Sequence, residues 1–227
     1  MSATFLFPDS KSFSPDFKEV ARYLGYRRAA PPEADVAALM EKAASEMQSV
    51  MKAQAVFEIF DLTVVECRES GVSKPPYEPS SAVVSIQPSA YSTTVSFADV
   101  TLNSRDLGRN LEGCSKVALL AATIGPQVDA LIRRHSSLDP VYASILQATG
   151  AMYIEELIDL VNSEIIKIAE AQGLKTKPRY SPGYGDVPLQ VQKDFFRLLP
   201  CTRIGLTLMD TLIMAPEKSV TAFVGLF

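Results

Sequence analysis

The chain has no tryptophan, a single histidine (His135) and three cysteines in 227 residues. One histidine excludes a multi-histidine metal centre. With Cys114 it would supply two ligands where zinc takes three or four, so no metal site is expected. The cysteines, Cys67, Cys114 and Cys201, are odd in number and far apart. That pattern suits free thiols in a reducing compartment, not a disulfide framework. Charge of one sign is also lacking, since 22 basic and 26 acidic residues leave a net of −4. A nucleic-acid binder would need a basic patch, and none is found. No apolar run reaches the roughly 18 residues of a membrane span. The opening residues lack the basic-then-apolar order of a secretory signal. The expectation is a cytoplasmic chain with neither nucleic acid nor membrane as partner.

What is present is the composition of a folded protein, 47% hydrophobic and 21% charged. Ser14-Pro15 reads as the cap of a first helix that runs through Leu24 and stops at Gly25, and helical spacing continues from 34 to 52. β-branched and aromatic residues at 55–67 predict a strand. Residues 70–92 read as loop with a short strand at 82–86, and 93–102 as one further strand. Asn103 caps a helix over 104–111, and the unbroken apolar run at 116–124 predicts a buried strand. Pro126 opens a helix to His135, and Asp139-Pro140 starts the longest one, ending near Gln172. A loop over 174–186 leads to a helix at 188–199 and two strands at 202–209 and 219–226. Strands and helices without a βαβ rhythm imply an α+β fold with a mostly antiparallel sheet. The expected organisation is a helical segment over 1–53 and a core over 54–227, together one continuous domain.

The most unusual local text is KPRYSPGYGDVP, residues 177–188, with three prolines and two glycines in twelve positions. Such a stretch fixes a backbone path. Arg179 carries a planar fork suited to a carboxylate or phosphate. Gly183 and Gly185 let a backbone approach a ligand closely, and Tyr180 and Tyr184 offer flat faces. The same residues also read as a rigid connector whose arginine caps the preceding helix. On the longest helix, Glu155 and Asp159 are four apart, hence on one face, with Asn162 a turn further. They read either as a solvated acidic face or as holders of an ammonium or sulfonium.

No catalytic constellation emerges. Ser181 has no nearby histidine, GRNLEG at 108–113 is not a dinucleotide fingerprint, and Cys114 reads as a small core residue. Met209, Leu212 and Met214 read as core in preference to a docking surface.

Residues 179–192 (RYSPGYGDVPLQVQ) and 203–225 (RIGLTLMDTLIMAPEKSVTAFVG), with ARYLGYR at 21–27 and the text at 111–134, resemble the activation domain of cobalamin-dependent methionine synthase. The resemblance is closer to free-standing proteins made of that domain alone. It implies a C-shaped fold around a twisted antiparallel sheet that binds S-adenosylmethionine in a shallow groove. The motif arginine maps to Arg179, for the ligand's carboxylate. The Pro-Gly-Tyr contacts to the nucleoside map to Pro182, Gly183 and Tyr184, with Gly185 beside them. The glutamate for the amino group maps to Glu155.

The implied role is reactivation. This chain would position the sulfonium methyl over a corrinoid carried by a methionine synthase that lacks its own activation domain. A flavodoxin or ferredoxin would supply the electron, and no side chain need act as acid, base or nucleophile. Cobalamin would enter only through that partner. The sequence departs from the full-length enzymes in carrying Gly185-Asp186-Val187 where they have Pro-Ala-Cys. It also offers no counterpart to their Asp-Trp aspartate or to a downstream tyrosine near the methyl group. Those departures favour a second reading, a docking or sensing module that delivers no methyl. A third, an independent methyltransferase, is disfavoured because no glycine-rich strand-to-helix loop is present.

Overall fold

An eight-residue run with no polar alternation must be covered on both faces, and Lys116–Thr123 is such a run. In the computed structural model, which describes residues 2–27, 30–68 and 91–227, it forms β5 inside a six-stranded sheet. Its side chains divide by parity. Ala118, Leu120 and Ala122 enter one apolar cluster, and Val117, Leu119 and Ala121 enter a second on the opposite face.

The other strands follow the antiparallel rule throughout. β1 (Thr4–Leu6) and β3 (Tyr91–Phe97) lie end to end along one edge of the long β2 (Gln54–Arg68), and β5 lies along the other. β4 (Val100–Asn103) pairs with β3, and β8 (Ser219–Leu226) pairs with β5, giving the order β4-β3-β2-β5-β8. β6 (Thr207–Leu208) and β7 (Met214–Ala215) make a separate two-stranded ribbon.

Helices cover both faces. α1 (Phe17–Tyr23), α2 (Ala34–Val50), α4 (Pro126–Ser136) and α5 (Pro140–Ala171) share the first cluster with the sheet. α3 (Arg105–Asn110) and α6 (Gln192–Leu198) contribute to the second. α5 is the axis of the first layer. Its 32 residues bury Leu146, Leu157, Ile158, Val161 and Ile165, each contributing about 1.5–3 kcal/mol relative to exposure. Asp139 caps it by accepting from the Tyr142 backbone N–H at 3.0 Å, with Pro140 in the first turn where its missing N–H costs nothing. Among the described residues no helix is long and apolar enough to cross a membrane.

Four sequence expectations are corrected, the first being the cap of α3, which is Ser104 and not Asn103, its hydroxyl accepting from the Leu107 N–H at 3.0 Å. Asp16, not Ser14, caps α1, because its carboxylate accepts from the N–H groups of Lys18 and Glu19. The single strand expected at 93–102 is a hairpin, with Ala98 and Asp99 as its two-residue turn and Ala98 at φ 48°. The strand expected at 202–209 is a 3-10 turn at Cys201–Ile204, halted by Gly205 at φ 68°, followed by the two residues of β6. The short strand expected at 82–86 lies outside the described residues.

Candidate functional site

After α5 the chain turns at Gly173, φ 72°, and runs antiparallel beside β8. Lys175 and Phe227 exchange two backbone hydrogen bonds, Lys177 donates to Gly225, and Tyr180 and Phe223 exchange two more. Two residues, Pro178 and Arg179, therefore stand against one, Val224. This is a β-bulge, which re-aims the side chain it displaces. Proline there loses no ladder donor, and its carbonyl accepts from Asn110 Nδ2 at 3.1 Å.

Arg179 crosses to the middle of α5. Its Nη1 donates to Asp159 Oδ1 at 2.6 Å and its Nη2 to Glu155 Oε2 at 3.4 Å. The arginine side chain is 28% exposed against 71% for Asp159 and 48% for Glu155. The alternative reading of Arg179 as a cap on the preceding helix does not hold, because Arg179 meets α5 three turns before its end. Arg179 and Glu155, both mapped by the resemblance, do come together. Asp159 is the nearer partner and lay outside the mapped set, although its i, i+4 spacing from Glu155 signalled it. The fork has five N–H donors and these bonds use two.

The turn that follows is tied down at each step. Gly183 N–H donates to Val187 O at 2.9 Å, Tyr184 N–H to Ser181 O at 3.3 Å and Val187 N–H to Tyr184 O at 3.1 Å. Gly183 and Gly185 have φ 89° and 53°, which favour glycine. A Cβ on Gly185 would also press on the Tyr180 hydroxyl and stand 2.6 Å from an Asp106 carboxylate oxygen. The Tyr180 hydroxyl donates to Tyr184 O at 3.1 Å. Burial raises its pKa, and the charges of Asp106 and Asp186 add to that.

Asp186 caps α3 from a distance. Its carboxylate accepts from Ser104 Oγ, from Arg105 N–H at 2.8 Å and from Asp106 N–H at 3.3 Å. Val187 is buried in the second cluster. Tyr184 is left 70% exposed, with its ring free at the surface.

A cleft of about 370 Å³ opens between α1 and α5. Glu155 and Asp159 wall it on the arginine side, with Met152 and Glu156, while Ser14, Asp16, Glu19, Arg22 and Tyr23 come from the segment around α1. Glu156 Oε1 accepts from the Ser14 N–H at 3.0 Å, and its Oε2 is buried with no hydrogen-bond partner. Burial pushes the Glu156 carboxyl above its ordinary pKa, and Asp16 and Asp159 push in the same direction. This α1 wall was invisible to sequence reasoning, because no local spacing links residues 14–23 to 152–159. A larger cleft of about 910 Å³ between α1 and α2 contains none of the mapped residues.

Other residues singled out from the sequence lie elsewhere. Cys114 is half-buried beside Gly225, and burial raises its thiol pKa, so it is not poised as a nucleophile. Met209, expected in the core, is 44% exposed on the β6–β7 ribbon. Among the described residues no group of three or more His, Cys, Asp or Glu could hold a metal ion.

No family model matches the chain, and no curated protein matches it. Among solved structures it is similar to the crystal structure of the MetH reactivation domain bound to AdoHcy, with a TM-score of 0.60 and 13% identity. The match covers 99% of this chain and 78% of that one. At that identity the likeness is one of fold. The chain accordingly has the fold of the reactivation domain, α+β with an open, antiparallel sheet flanked by helices.

Proposed function

We propose that this chain binds S-adenosylmethionine against Arg179, Glu155 and the 182–185 turn, as a reactivation subunit for a corrinoid-dependent methionine synthase. The observation that carries the reading is the bulge that aims Arg179 at Glu155 and Asp159. Two opposite charges a few ångströms apart match the two ends of an amino-acid zwitterion. Arg179 takes the carboxylate, and Glu155 takes the ammonium.

The remaining residues fit the rest of the ligand. Pro182, Gly183 and Gly185 hold a tight turn with no side chain at its glycines, and Tyr184 presents an exposed ring for the adenine to stack on. The wall of the cleft carries five carboxylates against one guanidinium, with Arg179 beside it. That balance favours a ligand with net positive charge, as the sulfonium provides. The fold likeness to a domain bound to AdoHcy points the same way.

Bound there, S-adenosylmethionine would supply an electrophilic methyl group for the corrinoid of a partner synthase that lacks its own activation domain, the S–CH3 bond breaking to leave neutral S-adenosylhomocysteine. An electron donor of the flavodoxin or ferredoxin class completes the balance. This chain's residues grip, orient and charge-match the ligand, and none of them exchanges a proton with it.

The second reading, a docking or sensing module without methyl delivery, is favoured by the Arg179 fork being already engaged by two carboxylates. A reactivation assay separates the two. Purified partner in the cobalt(II) state is mixed with reductant, S-adenosylmethionine and this chain. Restored turnover that depends on both the chain and the ligand supports delivery. Turnover that stays at the level without the chain leaves only docking or sensing.

A further inference from the structure

The carboxylate nearest Arg179 belongs to the protein. Asp159 Oδ1 sits 2.6 Å from Nη1, a short charge-assisted contact, while the Asp159 side chain is 71% exposed. Among the described residues its carboxylate has no other hydrogen bond, so holding Arg179 is what it does in this state. The Arg179 backbone is held between Lys177 and Tyr180, which pair with β8, so the root of its side chain is fixed facing α5. A ligand carboxylate arriving at the fork therefore meets Asp159 on the same guanidinium.

We propose that Asp159 is an internal stand-in for the ligand's carboxylate, displaced when the ligand binds. This rests on the function proposed above and deepens it to the selectivity of that site. The exchange conserves charge at the guanidinium, where one carboxylate replaces another. It also frees a second negative charge beside Glu155, and two carboxylates at i, i+4 repel when nothing neutralises them. A simple carboxylate would leave that repulsion in place. A ligand that brings its own ammonium and sulfonium relieves it. The site thus rejects simple anions and accepts an amino-acid-bearing cation, at the cost of weaker binding than an open fork would give. For an exposed ion pair this self-competition amounts to up to about five-fold in affinity, equivalent to about 1 kcal/mol.

The test is calorimetry on the full chain, wild type and Asp159→Asn, with two ligands. S-adenosylhomocysteine carries the amino-acid end, and 5′-methylthioadenosine is the same thioether nucleoside without it. Asparagine removes the competing charge and leaves Glu155 for the ammonium. The expected result is S-adenosylhomocysteine bound about three- to five-fold tighter by Asp159→Asn, with 5′-methylthioadenosine unchanged. In an Arg179→Gln background the same substitution gives no gain. Equal binding by wild type and Asp159→Asn overturns the stand-in role while the proposed function survives. Weaker binding by Asp159→Asn overturns it too, and makes Asp159 a partner of the ammonium. Binding of neither S-adenosylhomocysteine nor S-adenosylmethionine by either protein overturns the proposed function and this inference together.

Discussion

The motif segment beside the cleft (the motif wall) and the α1 side of the cleft (the α1 wall) are held in different ways. The motif wall, residues 175–188, is tied by backbone bonds to β8, by its own turn and by the Asp186 carboxylate to α3. The α1 wall is tied to α5 by an apolar contact and by one backbone-to-carboxylate bond, Ser14 to Glu156. The contrast separates two tasks. A segment held by several backbone hydrogen bonds sets where a guanidinium and an aromatic ring point. A wall of charged side chains around a cleft sets which charge is welcome there. Rigidity belongs to the first, and tunability to the second.

The contrast breaks most severely at Gly185. Alanine there combines a left-handed φ with a clash against Tyr180 and Asp106. The expected loss is about 2–4 kcal/mol of stability, seen as a fall of roughly 5–15 °C in the melting temperature. An unchanged melting temperature would mean that the motif wall is looser than described.

A smaller loss is expected at Asp186. Replacement by alanine removes the acceptor of two backbone N–H groups at the start of α3 and costs about 1–2 kcal/mol. Amide exchange at Arg105 and Asp106 should quicken, while that of α1 stays as it was. Equal quickening in α1 would erase the proposed independence of the two walls.

The mildest effect belongs to the α1 wall and is read through pH. The folded-state pKa of Glu156 is raised, so the folded chain holds this proton more tightly than the unfolded chain does. Its contribution to stability is therefore most favourable below the ordinary value of about 4.5 and declines as pH rises through the folded value. Glu156→Gln should lack that decline. Relative to the variant, wild type loses stability in denaturant titrations as pH is raised above about 4.5. Parallel curves would remove burial as the dominant influence on Glu156.

Much of this was legible in the sequence where one physical cause dominates. The strand at 219–226 was read with its observed bounds, and the run at 116–124 was read as buried because nothing polar interrupts it. The expected strand at 202–209 failed because a left-handed Gly205 outweighs the β-branched residues around it. β1 is three residues long and carries no periodic signal of its own.

The site divides along the same line. Arg179 and Glu155 were identifiable by residue type and motif, as were the glycines whose positive φ the turn requires. The bulge that delivers Arg179 to Asp159 depends on pairing with β8, more than forty residues away. The α1 wall depends on a contact between Ser14 and Glu156, 142 positions apart. Long-range pairing of that kind leaves no mark on local spacing.

The central claim is that a bulged loop presents one guanidinium to the carboxylate of an amino-acid-bearing nucleoside. Its most direct test is calorimetric titration of S-adenosylmethionine into wild type and Arg179→Ala. The expected outcome is saturable binding by wild type that weakens about 10- to 100-fold in the variant, the loss of a charge-assisted pair. Absence of binding to wild type, or equal affinity in both proteins, would contradict it.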